Sequence, residues 1–460
     1  MDSNIIFCPL DDRYMDQVKE LGPIGEMAFM KYRLEIEIKY FLEMVKIKNL
    51  SHTVTPENIF RLNKLLENDF LPNFKIIKEF EKKTKHDVKA VEYFLRDFLK
   101  NLEIDQKTIE LVHYGLTSQD INTPALSLQL KHYHNILYKQ YQSLINLLQQ
   151  KYESYQDIVM LAKTHGQPAI PTTIGNQFKI VSESIKHHLN ILYHLTKDGI
   201  PTKFGGAVGH LNAHYLTDPD TNWHSEFDKH IQETYQLQRI KYTTQNLPYT
   251  YWSPIFDAYK NINCIISDFC QDIWLMISNG TFNQRVDEGQ VGSSAMPQKI
   301  NPIDFENSEG NADMATNMFE FFSRRLSRSR LQRDLTDSTI LRNLAMPFGY
   351  SLLSTKSLIK GLHKITPNLE NIRQELIDEP TIISEGLQTI LRDIGYPNSY
   401  EVLRKITQTN HTINLQEMKG HFLEYLVNEK ETEEIEKEKY EKAIDKIINL
   451  SQFNYIGKLE

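Results

Sequence analysis

Between Gly289 and Asn311 the chain reads GQVGSSAMPQKINPIDFENSEGN. Ser293 and Ser294 offer adjacent hydroxyls, and Lys299 supplies a cation a few residues on. Gly289 and Gly292 let the backbone bend ahead of the serines, and Pro297 and Pro302 prevent a regular helix through the middle. A loop with hydroxyls and one lysine suits closure over an anionic substrate. A serine hydroxyl titrates far above neutrality, so as a base it needs help from Lys299 or from loop amides. Neither serine lies in a GxSxG elbow or begins SxxK, so serine-hydrolase chemistry is not signalled.

Further groups lie elsewhere. His165 sits in Thr164-His-Gly-Gln-Pro168, a turn by its glycine and proline, where an imidazole can give or take a proton near neutrality. Thr84-Lys-His-Asp87 resembles a capping box that places His86 and Asp87 in the first turn of a helix. Thr117-Ser118-Gln-Asp120 repeats that signal. Arg330 to Arg342 clusters basic and hydroxyl residues, and Arg333, Ser338 and Arg342 suit a phosphate, with Arg13 and Tyr14 as additions. No metal site is expected: His132/His134 and His187/His188 do not converge, and HExxH is absent. Gly205 to Gly209 is glycine-rich, but no strand signal precedes it, so a tightly packed turn is expected there in place of a dinucleotide site.

Long helices must position these groups. Apolar residues recur at spacings of three and four over Met27–Lys48, Asn122–Tyr152, Ile174–Leu195 and Ser253–Ile277, with another helix over Phe305–Ser329. The Asn122–Tyr152 pattern far exceeds the roughly 11–12 residues of an average helix, as in bundles. The reading is an all-α, three-domain chain. Residues 1–112 form an N-terminal helical domain, 113–362 a central long-helix bundle, and 363–460 a C-terminal domain of shorter helices. Low glycine (19) and proline (17) favour helices over many short strands. The charged run Asn428–Lys442 reads as a solvated helix face.

Composition sets the bounds. With 460 residues, 40% hydrophobic and 24% charged, the chain is an ordinary globular protein. A net charge of −8 argues against general nucleic-acid binding. Three cysteines, Cys8, Cys264 and Cys270, form no disulfide framework, so a reducing, cytoplasmic setting is expected. The N-terminus does not read as a signal peptide. No run approaches the ~18 apolar residues of a membrane span.

Taken together, the motifs resemble a known family. GSSAMPQKINP resembles the signature loop of the fumarase/aspartase superfamily. Lys85-His-Asp-Val-Lys-Ala-Val-Glu92, Thr164–Pro168, Ile303-Asp-Phe-Glu-Asn-Ser-Glu-Gly-Asn311 and Gln332-Arg-Asp-Leu-Thr-Asp-Ser-Thr339 look like its adenylosuccinate lyase branch. The likeness runs from Asp12-Arg-Tyr14 to Asn454-Tyr-Ile-Gly457. It implies a cofactor-free β-elimination in purine biosynthesis that releases fumarate from adenylosuccinate and from the succinylated aminoimidazole carboxamide ribotide. By motif, Ser293 is the base, His165 the acid, and His86 assists near the phosphate or leaving group. Thr117, Ser118, Lys299 and Asn301 hold the succinyl carboxylates, and Lys299 also counts among the catalytic groups. Gln245 orients the substrate. Arg13, Tyr14, Arg333, Ser338 and Arg342 bind the nucleotide end. Lys85, Asp87, Thr164 and Ser294 complete the implied substrate-binding set. The resemblance also implies a homotetramer whose sites draw on three subunits. One position departs: Gln298 stands where many adenylosuccinate lyases carry histidine, and MPQK resembles the argininosuccinate lyase form. An argininosuccinate-cleaving sister enzyme and an inactive helical scaffold are the alternatives.

Overall fold

The computed structural model describes residues 8–22, 25–67, 69–285, 296, 298–409, 415–428, 434–448 and 456–457. Ser293 and Ser294, with Gly289, Gly292 and Pro297, lie outside the described residues. The chain is helical as its periodicity predicts. In order, the helices that matter here are α1 (Glu26–Ile47), α2 (Leu71–Thr84), α3 (Asp87–Asn101), α4 (Ser118–Tyr155), α5 (Ile174–Thr196), α6 (Trp223–Tyr235), α7 (Ser253–Ser278), α8 (Ile303–Leu326), α9 (Thr336–Leu341) and α10 (Ala345–Lys364). Five more follow: α11 (Leu369–Asp378), α12 (Ser384–Asp393), α13 (Ser399–Thr409), α14 (Leu415–Asn428) and α15 (Glu434–Ile448). Among the described residues no helix is long and apolar enough to cross a membrane.

Strands are few and short. β1 (Val159–Thr164) pairs antiparallel with β2 (Gln167–Thr173). β3 (Ile200–Thr202) runs parallel to β4 (Leu237–Arg239), and β5 (Phe282–Gln284) is antiparallel to β6 (Ile365–Pro367). β3 corrects one expectation: a strand does precede Gly205–Gly209. With three residues it is too short to show alternation in sequence. The glycine-rich stretch is nonetheless a packed turn. Gly209 has φ +87°, and an added Cβ would collide with the Thr243 carbonyl oxygen.

The fold divides into two compact units. Unit 1 comprises residues 1–143, 184–270 and 304–358. Its core includes an aromatic stack: Tyr259 lies 5.4 Å from Phe319 at 19°, and Phe348 meets both rings edge-on at 5.1 Å. Such pairs add about 0.5–1.5 kcal/mol beyond burial. In the same core the polar side chains of Asn263 and Ser351 satisfy each other. Asn263 donates to the Tyr259 carbonyl and to Ser351 Oγ, each at 2.8 Å, and accepts from Ser351 at 3.1 Å.

Unit 2 comprises residues 144–183, 271–303 and 359–460. Its apolar cluster joins Leu161 of β1 to Leu376, Ile382, Leu387, Leu391 and Ile444. α12 shows why: Leu387 and Leu391 recur four residues apart and are both buried.

Candidate functional site

In unit 1 the site is built on a buried ion pair. The Asp120 and Lys203 side chains are fully buried, with Lys203 Nζ 2.7 Å from Asp120 Oδ1. The carboxylate also accepts from the amides of Gly205 at 2.7 Å, Gly206 at 3.1 Å and Thr117 at 2.9 Å. Lys203 donates a further bond to the Gly206 carbonyl at 2.5 Å. Burial opposes the charge on Asp120, but Lys203 and these amides outweigh it and hold the carboxyl below its ordinary range. The result fixes Thr117 and Ser118, the entry to α4, against the 205–206 turn.

His86 stands beside that entry. It is the N-cap of α3, and its Nδ1 accepts from the Lys89 amide at 3.2 Å. An accepting Nδ1 leaves the proton of a neutral ring on Nε2. Nε2 faces Ser118 Oγ at 3.5 Å. Thr84 is therefore not the cap: its Oγ1 instead accepts from the His86 amide at 3.2 Å. The sequence signal located the helix start but assigned the wrong capping residue. Lys85, exposed, ends α2 at φ +53°.

Asp87 turns toward arginine. Arg33, whose side chain is wholly buried, donates to Asp87 Oδ2 at 2.6 Å and to Asn122 Oδ1 at 2.8 Å. Its guanidinium lies 3.8 Å from the Phe29 ring centroid. Arg342 reaches the same Asp87 oxygen at 3.2 Å and pairs with Glu26. Burial opposes the charge on Asp87, but Arg33, the Val88 amide and Arg342 hold its carboxyl below the ordinary value. Asp87 thus orients two guanidiniums.

The basic cluster is joined through Asp337, which Arg333 meets at 4.0 Å. Ser338 and Arg342 line one small cavity with Gln119, Asn122, Tyr249 and Asp337. Arg333 points to Asn246 Oδ1 at 2.8 Å. Asp337 ties the cavity wall together, accepting from Tyr249 at 3.0 Å and Gln119 at 3.2 Å. Gln245 donates to the Ala207 carbonyl at 3.1 Å. Arg13 is exposed, 5.7 Å from the ring of Tyr14. Arg33, Gln119, Asn122, Tyr249 and Asp337 were not legible from sequence. Each looks locally like an ordinary helix or loop residue, and its partners are distant in the chain.

In unit 2, His165 and Gly166 form the two-residue tip of the β1–β2 hairpin, between paired Thr164 and Gln167. Both have positive φ, +54° and +70°. That is the backbone of a tight turn matched to strand twist. The turn presents an exposed imidazole, beside an exposed Thr164. A bulge between Leu161 and Lys163 re-aims the strand below, and Lys163 reaches Glu375 of α11 at 2.9 Å. A cavity of about 490 Å³ lies against this strand, lined by Lys163, Gly166, Gln177, Asp272, Thr281 and Glu375 among others.

The described residues on either side of the serines are held by neighbouring backbone. The Arg285 amide donates to the Lys364 carbonyl at 2.8 Å, at the end of the β5–β6 pair. Gln284 Nε2 donates to the Ile300 carbonyl at 3.2 Å. Lys299 is exposed and Asn301 half-buried, just before α8.

Known proteins resemble this chain over nearly all of it. Residues 27–316 match the family described as Lyase, and residues 329–442 match the adenylosuccinate lyase C-terminal family. An adenylosuccinate lyase from Dictyostelium discoideum is 41% identical over 415 residues, 87% of this chain and 88% of the relative. One from Legionella pneumophila is 36% identical over 404 residues, with the same coverage of each. Among solved structures, a fumarate lyase from Mesorhizobium sp. BNC1 superposes with TM-score 0.72 at 14% identity, covering 96% of this chain and 95% of its own. That likeness supports the all-α, fumarase-like fold.

Proposed function

The chain belongs to the adenylosuccinate lyase family, and from that membership we infer its reaction: β-elimination of fumarate from adenylosuccinate, giving AMP. The observation that carries this is the joint match of residues 27–316 and 329–442, which includes the adenylosuccinate-specific C-terminal part. We extend the inference to the succinylated aminoimidazole carboxamide ribotide, which carries the same succinyl–nitrogen bond. The argininosuccinate form suggested by Gln298 finds no support in these relatives.

The elimination removes a proton from the carbon beside one carboxylate, moves that electron pair into the new double bond and breaks the carbon–nitrogen bond. The departing nitrogen takes a proton. No electrons are exchanged with another molecule. We assign proton removal to Ser293 and nitrogen protonation to His165. Thr117, Ser118, Lys299 and Asn301 bind the succinyl carboxylates, where charge develops in the transition state. His86, whose Nδ1 accepts from the Lys89 amide and whose Nε2 faces Ser118, assists near the phosphate or leaving group. Gln245, with Lys85, Thr164 and Ser294, completes the contacts to substrate. Arg13, Tyr14, Arg333, Ser338 and Arg342 bind the nucleotide end, and Asp87 holds Arg342 for it. We also infer a homotetramer with shared sites, a three-domain division at about residues 112 and 362, and a cytoplasmic setting.

The purified chain is tested with adenylosuccinate and argininosuccinate side by side, following fumarate by ultraviolet absorbance. Release from adenylosuccinate is expected. Preference for the arginine compound overturns the substrate assignment, and undiminished turnover in Ser293→Ala overturns the base.

A further inference from the structure

Arg342 is held by two carboxylates that are not equivalent. Asp87 has a second cation, Arg33 at 2.6 Å, and the Val88 amide at 2.9 Å on its other oxygen. Its charge stays matched whatever Arg342 does. Glu26 makes its direct ion pair, among the described residues, with Arg342, and only its longer-range field reaches Arg33. It is also accessible, with its side chain 33% exposed and that of Arg342 44% exposed.

Glu26 is the first residue of α1, after Gly25 at φ +87°. A carboxylate in a first helical turn is favoured by the unpaired amides there, so Glu26 keeps a favourable place when Arg342 is taken from it. Glu26 and Arg342 line a cavity of about 210 Å³, walled in part by Gln129 and Tyr133, both buried. Arg342 also lines the smaller cavity that contains Ser338. The guanidinium thus serves both spaces, and its carboxylate partner on one side can be exchanged.

We infer that Glu26 is a specificity-determining residue, a carboxylate that occupies Arg342 until a phosphate displaces it. This rests on the reading of Arg342 as a nucleotide-binding residue. A phosphate dianion makes stronger charge-assisted bonds to a guanidinium than one carboxylate does, so the exchange runs toward the nucleotide. The Glu26–Arg342 pair must break for that exchange. It therefore weakens every phosphate-bearing ligand and leaves a nucleoside untouched. Glu26 sets how tightly the nucleotide product is held, and so eases its release.

The test is calorimetric titration of the full chain with AMP, inorganic phosphate and adenosine. Glu26→Gln is isosteric and removes only the competing charge. It is expected to tighten AMP and phosphate by about 2–5-fold, the range of a partly exposed ion pair. Adenosine binding stays as in the wild type, and the KM for adenylosuccinate falls with AMP. In an Arg342→Gln background the same substitution changes nothing. If Glu26→Gln weakens AMP or leaves it unchanged, Glu26 is a support for Arg342 or irrelevant to it, and the inference is overturned. An equal shift for adenosine overturns it as well. If Arg342→Gln binds AMP as the wild type does, the nucleotide role of Arg342 itself falls, a result distinct from failure at Glu26.

Discussion

Two imidazoles, one in each unit, are held in opposite ways. His86 is part of the secondary structure: its ring caps α3 and its neighbour Asp87 is locked by a buried arginine. His165 stands on a hairpin tip, exposed, with its position set by backbone conformation. Behind His86 lies a buried ion pair with three amide donors. Below His165 lies the partly exposed pair Lys163–Glu375. Both rings are exposed, so what separates them is the frame behind each: His86 is tied to buried charged groups, whereas His165 is held by the hairpin backbone. Substitutions of the buried groups in the first region should disturb stability and function together, and substitutions in the second should separate them.

The sharpest break of that comparison is His165→Ala. A positioned acid contributes roughly 10²–10⁴-fold in rate, so turnover should fall by that factor. An exposed turn residue shifts stability by about 0.5 kcal/mol at most, so the melting curve should stay in place. A collapse of the melting temperature would put His165 in the same class as the buried region.

Lys203→Met tests the other side. It leaves the Asp120 carboxylate buried without its cation, which costs about 3–5 kcal/mol. Lys163→Met, at the exposed pair, should cost about 0–1 kcal/mol. Denaturant midpoints on both variants measure the gap. Equal losses would show that burial is not what separates the two regions.

The contrast also explains what the sequence conveyed. The long helices were legible because each presents a persistent apolar stripe: α1, α5 and α7 begin and end within a residue or two of their periodic patterns. Asp120 was legible as a helix-start residue, because its bond to the Thr117 amide is local. Its partner Lys203 was not, since nothing local marks a lysine for burial. The three-residue strands β3 to β6 were hidden because they cannot show alternation, and the longer β1 and β2 are buried too irregularly to alternate. Ser338 and Arg342, which with Arg333 the sequence offers as a phosphate cluster, line one cavity, one turn apart on and just after α9. Arg333 lies just before that helix and meets Asp337 of the same cavity wall at 4.0 Å, while its bond to Asn246 is one that no spacing rule foretells.

Acid should act on the buried region through its neutral histidines. Burial depresses His134, His214 and His230, all in unit 1, to about 4. Unfolded, each takes up a proton near pH 6.5, so between about 6.5 and 4 the unfolded state binds more protons. Stability therefore falls as pH drops through that window, on the order of 1–3 kcal/mol per group. His113 acts the other way. Burial lowers it, but Glu37 at 2.6 Å outweighs burial and raises it, so its stabilisation is present at low pH and lost as pH rises. Among the described residues Nε2 of His230 is buried without a hydrogen-bond partner, so His230→Leu removes a titrating group at the cost of only the long Nδ1 contacts to Thr234 at 3.4 Å and Glu43 at 4.0 Å. Denaturation from pH 7 to 4 should show a shallower slope in that variant. An unchanged slope would remove His230 from the account.

The smallest expected effect bears most directly on His86, because a cap and a substrate contact make different demands on one ring. Capping needs only an acceptor aimed at the Lys89 amide, which asparagine also supplies. Donation toward Ser118 needs the imidazole Nε2–H in its present place. His86→Ala should lose the cap and about 1 kcal/mol of stability. His86→Asn should keep most of that stability, and both variants should lose turnover. Thr84→Ala, at the residue the sequence pattern offered as the cap, should cost less than His86→Ala because Thr84 holds the amide before the helix and none within it. Thermal melts rank the three variants. If Thr84→Ala is the more damaging, the helix start is held by the threonine and His86 is free to move. The two imidazoles would then be held more alike than their surroundings suggest.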